Sequence, residues 1–235
     1  VEALRETKNG EHTLNYAPEI DFTEATSKLK VVVSDGREGK EAIGYMKAYV
    51  NMDVATLNVG SQPLAYNAHV KYPDAFGMVS LNDLKTYSVD YAIANEVNAK
   101  NVDFKFYCFG ASGSPRLYSM DNTGKDGEFS GSTGKLSAIK VKNLTRFAIL
   151  SNFDYENATV ASISSEILSS SIAQSLLDPI AVGNVIAFRT GGSSAAGGGR
   201  IGVMKVINIT EPKELVSNNA TARVMTVEIK FPKKK

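Results

Sequence analysis

Apolar residues recur at every second position through much of this chain, and a period of two is the mark of β-strands. The clearest run spans residues 102–109. Val102, Phe104, Phe106 and Cys108 share one face, while Asp103, Lys105 and Tyr107 share the other. Residues 222–231 repeat the pattern, with Met225, Val227, Ile229 and Phe231 alternating with Thr226, Glu228 and Lys230. β-Branched runs predict further strands at 28–34, 42–50, 54–59 and 144–150, with shorter ones at 76–81 and 117–120. Residues 182–190 and 200–210 also read as strands, joined into a hairpin by a glycine-rich loop at 191–199. In the second arm Val203 and Ile207 point one way and Met204 and Val206 the other. A strand that is apolar on both sides belongs in the middle of a sheet.

Two stretches depart from this period. Val89, Ile93 and Val97 recur every four residues and favour a short helix within 86–98, although Tyr87, Val89 and Tyr91 also fit a strand. Ile163, Ile167, Leu168, Ile172 and Leu176 supply one apolar face for a longer helix over 163–178. Glu166 near its start suits the helix dipole, and Pro179 forces Asp178 out of the α region and ends it. Its many serines lower the intrinsic propensity, so packing on a sheet must hold it. Residues 1–27 read as an extended arm with a short strand at Ile20 to Phe22, and 35–39 as a turn. Residues 110–135 and 191–199 are loops, the latter a mobile hairpin tip. The expected fold is mainly β, a β-sandwich or strongly bent sheet with one packed helix at about 163–178. Residues 1–53 form an N-terminal β element and 54–235 the main domain.

Composition narrows the function by exclusion. The 235 residues are 43% hydrophobic and 22% charged, ordinary for a globular protein. Twenty-six basic against 25 acidic residues leave a net charge of +1, so no global field favours nucleic acid. No run of about 18 apolar residues spans a membrane. The single cysteine, Cys108, forms no internal disulfide and lies on an apolar face, which reads as packing rather than a nucleophile.

Catalytic and metal motifs are weak. Two histidines, His12 and His69, and one cysteine do not make a zinc site, and no cofactor is expected. Asp121, Asp126 and Glu128 cluster oxygen ligands with glycines, a calcium-loop composition, but Lys125 stands where an EF-hand needs an acid or amide. The 191–199 loop lacks the Gly-Lys-Ser/Thr ending of a phosphate cradle. Gly110-Ala-Ser-Gly-Ser114 has the composition of a nucleophile elbow but no histidine tied to it. A carboxylate pair for glycoside hydrolysis is a spatial feature, and the sequence selects none.

A set of segments, taken in order, carries a resemblance. These are Thr56-Leu-Asn-Val-Gly-Ser-Gln62, Asn101-Val-Asp-Phe104, Lys142-Asn-Leu-Thr-Arg-Phe147, Ala181-Val-Gly-Asn-Val-Ile-Ala-Phe-Arg-Thr190 and Arg200-Ile-Gly-Val-Met-Lys-Val206. Together they resemble a group of secreted or cell-envelope lipoproteins of gut Bacteroidetes without an assigned function, over roughly residues 54–232. Gly183-Asn184 departs from the Gly-Asp of that group, and the 191–199 loop is richer in glycine. The resemblance implies a removed leader, a lipid anchor ahead of residue 1, and a periplasmic or surface-exposed location. Residues 28–50 then look like two strands of an immunoglobulin-like module. The expected function is a non-enzymatic binding module for a glycan or another envelope protein, with Tyr107, Tyr118 and Arg200 as ligand contacts. The alternatives are a carbohydrate-active hydrolase using a carboxylate pair and a structural envelope subunit that packs through a strand edge.

Overall fold

The computed structural model describes residues 26–34, 41–49, 51–215 and 217–234. The strand expected at Ile20 to Phe22 and the turn at 35–39 lie outside these residues. Strands β1 (Thr26–Ser34) and β2 (Glu41–Tyr49) pair antiparallel over nine residues each as a two-stranded sheet, as their β-branched content predicts.

Two five-stranded antiparallel sheets make the rest of the fold. In chain order the elements are β3 (Met52–Gly60), β4 (Met78–Ser80), β5 (Lys85–Tyr87), helices α1 (Val89–Ala94) and α2 (Glu96–Lys100), β6 (Phe104–Phe109), β7 (Ser114–Ser119), β8 (Arg146–Leu150), helix α3 (Val160–Glu166), β9 (Leu176–Leu177), β10 (Val185–Arg189), β11 (Ile201–Ile209) and β12 (Val224–Pro232). The first sheet runs β3-β12-β11-β10-β8 and the second β5-β4-β6-β7-β9. The predicted hairpin is present as β10–β11, and β11 lies at the centre of its sheet as its two-sided apolar pattern requires. A bulge between Val206 and Asn208 turns Ile207 out to solvent.

The inner faces meet in one core. Phe104, Phe106, Cys108 and Leu117 from the second sheet pack against Ile186, Phe188, Met204, Val227, Ile229 and Phe231 from the first. Both outer faces are covered as well. Val89 and Ala92 of α1, Ala99 of α2, and Phe129, Leu136 and Ile139 of the long loop close over Tyr107 and Tyr118. On the other side Tyr155, Ala158, Ile163, Ile167 and Ile172 close over Ala187 and Val203. The polar half of each alternating strand therefore faces a second buried layer. Lys105 and Asp103 are enclosed rather than solvated, and so is Lys230, whose Nζ donates to the carbonyl oxygen of Tyr155 at 2.7 Å.

The helices correct the sequence reading in one place. Ser88 and Asn95 cap α1 and α2 where a short helix was expected. The predicted helix over 163–178 stops after one span: α3 begins at a Thr159–Ser162 capping box and ends at Glu166. A single 3₁₀ turn follows at Ser169–Ser171, and β9 then pairs with β7 through Leu177 and Leu117. The serine run weakens the helix, while Ile172 and Leu177 are buried from an extended chain instead. Just before β9, Gln174 and Phe147 exchange two backbone hydrogen bonds, at 2.8 and 3.1 Å, and join the two sheets at that edge.

Candidate functional site

The residues singled out in the sequence are held by internal partners. Tyr107 and Tyr118 are buried and meet edge to face at 5.6 Å. The Tyr107 hydroxyl donates to Glu128, and burial together with that bond raises its pKa well above the ordinary phenol range. The outward face predicted for Tyr107 is sealed by the loop that follows β7. Arg200 donates to the carbonyl oxygens of Ala196 and Pro232 and stacks on Phe231 at 4.0 Å, an internal strut between β11 and the chain end. The acids of the candidate calcium loop each face a cation. Asp121 accepts two bonds from Arg146 at 2.8 Å, Asp126 one from Lys105 at 2.6 Å, and Glu128 one from Lys125 at 2.7 Å. No group of three or more metal-ligating side chains gathers among the described residues.

The glycine-rich loop at 191–199 is docked, in place of the mobile tip expected. Ala195 N–H donates to Lys100 O at 2.9 Å, Ser193 Oγ to Asn143 Oδ1 at 2.6 Å, and Ser194 Oγ to Asp103 Oδ1 at 2.6 Å. Gly191 makes this approach possible, because a Cβ there would lie 2.5 Å from the backbone nitrogen of Leu144. Asp103 also accepts from Leu81 N–H at 2.8 Å and from Asn143 Nδ2 at 3.4 Å. Burial pushes its carboxyl up to about 6 against those donors, and the nearby Asp83 adds to the rise. Asp83 itself is also raised by burial, but Tyr87, Asn101 and Asn82 donate to it and hold it below the usual carboxylate range.

A concave surface lies elsewhere, along the free edge of β8. The groove encloses about 560 Å³ and is lined by Ala148–Phe153 on one side and by Glu166, Ile167, Ser171 and Gln174 on the other. That volume falls within the range of small-ligand sites. Its shape follows from the fold. The Phe147–Gln174 bridge brings the 3₁₀ segment alongside β8, then Ile172 turns inward to the core and the two segments part. Because the main-chain groups of Phe147 face Gln174, the strand pleat directs those of Ile149 to the same side, into the groove. Ile149 is 44% exposed, and Phe153 is half-buried against the outer core. Asn152, Glu166 and Gln174 are exposed, have side chains without a hydrogen bond or ion pair among the described residues, and all three line this groove. These residues lie in three separate segments, and no periodicity or motif in the sequence joins them.

No protein-family model matches the chain, and no curated protein is similar to it. Among solved structures it is similar to the crystal structure of a DUF4466 family protein from Parabacteroides merdae ATCC 43184, at 13% sequence identity and a TM-score of 0.50. The similarity covers 83% of this chain but 59% of the neighbour, so the chain spans less than two thirds of that protein's length. The likeness is one of fold, with a protein from the gut Bacteroidetes, the broad group that the sequence segments resemble.

Proposed function

We propose that this chain is a non-enzymatic glycan-binding module whose ligand lies in the groove along β8. The observation that carries the reading is a groove lined together by three exposed polar residues, Asn152, Glu166 and Gln174, and by the half-buried Phe153. Sugar hydroxyls both donate and accept, and the two carboxamides and the main chain of Ile149 present both kinds of group. An aromatic face supplies the apolar contact for the C–H side of a sugar ring.

Two rival readings fit the groove less well. A peptide adding as a strand needs a run of free ladder positions. Here Phe147 is already taken by Gln174, which leaves Ile149 as the open position on this edge of the strand. A retaining or inverting hydrolase needs two acids at one cleft. Among the described residues Glu166 is the single acid lining the groove, and Asp103, the member of the Asp83–Asp103 pair suited to act as an acid, is fully enclosed. The cell envelope is the setting that suits such a module, and the resemblance to envelope lipoproteins supports it. Among the described residues no helix is long and apolar enough to cross a membrane.

The test is a thermal-shift screen against polysaccharide fragments, repeated with Phe153→Ala and Gln174→Ala. Ligand at about 100 times its Kd stabilises by about 2.7 kcal/mol, or roughly 5–11 °C for a chain of this size. A shift of that size, lost in Gln174→Ala while the unliganded melting temperature holds, supports the site. A shift unchanged in both variants would place the ligand elsewhere.

A further inference from the structure

We infer that the groove selects glycans bearing a protonated amino group and rejects acidic ones, an inference that rests on the glycan-binding reading of this same site. Of the described residues lining the groove, Glu166 alone carries an ionisable side chain. It stands in the last turn of α3, where no basic residue accompanies it. The carbonyl end of a helix is itself negative, so the carboxylate adds to a field of its own sign instead of cancelling it. Among the described residues the rim is therefore a point of uncompensated negative charge.

Nearby cations are committed elsewhere. Arg189 donates to Ser169 Oγ at 3.2 Å and to Ile172 O at 3.3 Å, outside the lining of the groove. Arg146 is held by both oxygens of Asp121, and Lys205 by Glu156 at 2.7 Å. A uronate or sulfated sugar entering the groove would meet Glu166 with no guanidinium or ammonium in the lining to neutralise it. An amino sugar would bring the missing cation. Its ammonium has three donors for the Glu166 carboxylate and for the amide oxygens of Asn152 and Gln174. Charge-assisted bonds of this kind are about twice as strong as neutral ones.

The experiment is calorimetric titration at slightly acidic pH with three short oligomers of equal length, of glucosamine, N-acetylglucosamine and galacturonate. Each is run against the native chain and Glu166→Gln. The expected result is roughly tenfold tighter binding of the glucosamine oligomer than of its acetylated counterpart, as one charge-assisted hydrogen bond supplies. Galacturonate should not bind. In Glu166→Gln the preference for the glucosamine oligomer over its acetylated counterpart should vanish. Glu166 is exposed at a helix end, and an unchanged melting temperature checks that its replacement leaves the fold intact. Equal binding of the first two oligomers, or a preference that survives Glu166→Gln, overturns the amino-sugar assignment and leaves glycan binding standing. Binding of none of the three overturns both.

Discussion

Ser194 donates its hydroxyl to the buried carboxylate of Asp103 at 2.6 Å, fastening the glycine-rich loop of the first sheet to the second across 91 residues of sequence. The bond holds a charge that burial opposes. The folded protein keeps the Asp103 proton until about pH 6, whereas the unfolded chain releases it near about pH 3.9. The folded state thus binds more protons between these values, and stability from this group falls as pH rises from about 4 to 6 and then levels. The expected loss is roughly 2–3 kcal/mol over that interval. Asp103→Asn should flatten this part of the profile in calorimetric melts. Ser194→Ala, which removes the hydroxyl donor and leaves the ionised form to Leu81 N–H and Asn143, should cost about 1.5–3 kcal/mol at neutral pH and less at pH 4.5. Identical slopes in wild type and Asp103→Asn would contradict the assignment.

Lys105 and Asp126 form a buried pair at 2.6 Å, with Lys142 3.6 Å from the other carboxylate oxygen. Burial lowers the pKa of Lys105 while Asp126 opposes that fall. Removing Lys105 leaves the buried Asp126 carboxylate with only the more distant Lys142, so Lys105→Met should destabilise by about 3–5 kcal/mol in urea denaturation. Lys105→Met combined with Asp126→Leu should recover most of that loss. A double variant as unstable as the sum of the singles would show that the two charges are not coupled.

Gly202 in β11 lies under two rings. A Cβ there would fall 2.4 Å from Phe188 and 2.8 Å from Phe231, which themselves pack at 5.2 Å. Gly202→Ala should therefore cost about 1–3 kcal/mol through overpacking. Gly192, with open space around its Cβ direction, serves as the control, and Gly192→Ala should leave the melting temperature nearly unchanged.

Gln62 completes β6 where β4 runs out. β4 pairs with Phe104 and Lys105, and beyond it the Gln62 carboxamide accepts from Cys108 N–H at 2.9 Å and donates to Cys108 O at 2.7 Å. Gln62→Ala leaves both backbone groups unpaired beside the core and should cost about 2–4 kcal/mol. Cys108 reports on the same place. Burial pushes its thiol up to about 12, so it should resist a thiol-labelling reagent at pH 8 until the protein unfolds. Rapid labelling of the native chain would mean that this edge opens.

The strands were legible because each carries an apolar face toward the central core. The periods that placed Phe104, Phe106 and Cys108, or Val227, Ile229 and Phe231, inward hold in the structure. The same periods set Asp103, Lys105 and Lys230 on the opposite faces without saying what lies over them, and the structure buries all three. A sheet covered on both sides hides its polar face beneath loops and short helices, and one strand's alternation carries no sign of what lies over it. The helix expected over 163–178 misled for a related reason. Ile163 and Ile167 do share a helical face, but Ile172 and Leu177 reach the interior from extended backbone, and a list of apolar positions does not separate these cases. The serine run from Ser164 to Ser171 was the available warning. The groove had none, since Asn152, Glu166 and Gln174 meet only once the chain has turned between α3 and β9.

The exchange of hydrogen bonds between Phe147 and Gln174 is the clasp that draws the outer strands of the two sheets together, and Gln174 also offers its side chain to the groove. Whatever grips that carboxamide pulls on the clasp as well. Under the proposed function, a tethered ligand held at Gln174 and drawn away from the protein would load the seam between the sheets, so the residue proposed to hold the ligand would also set how much tension the fold withstands.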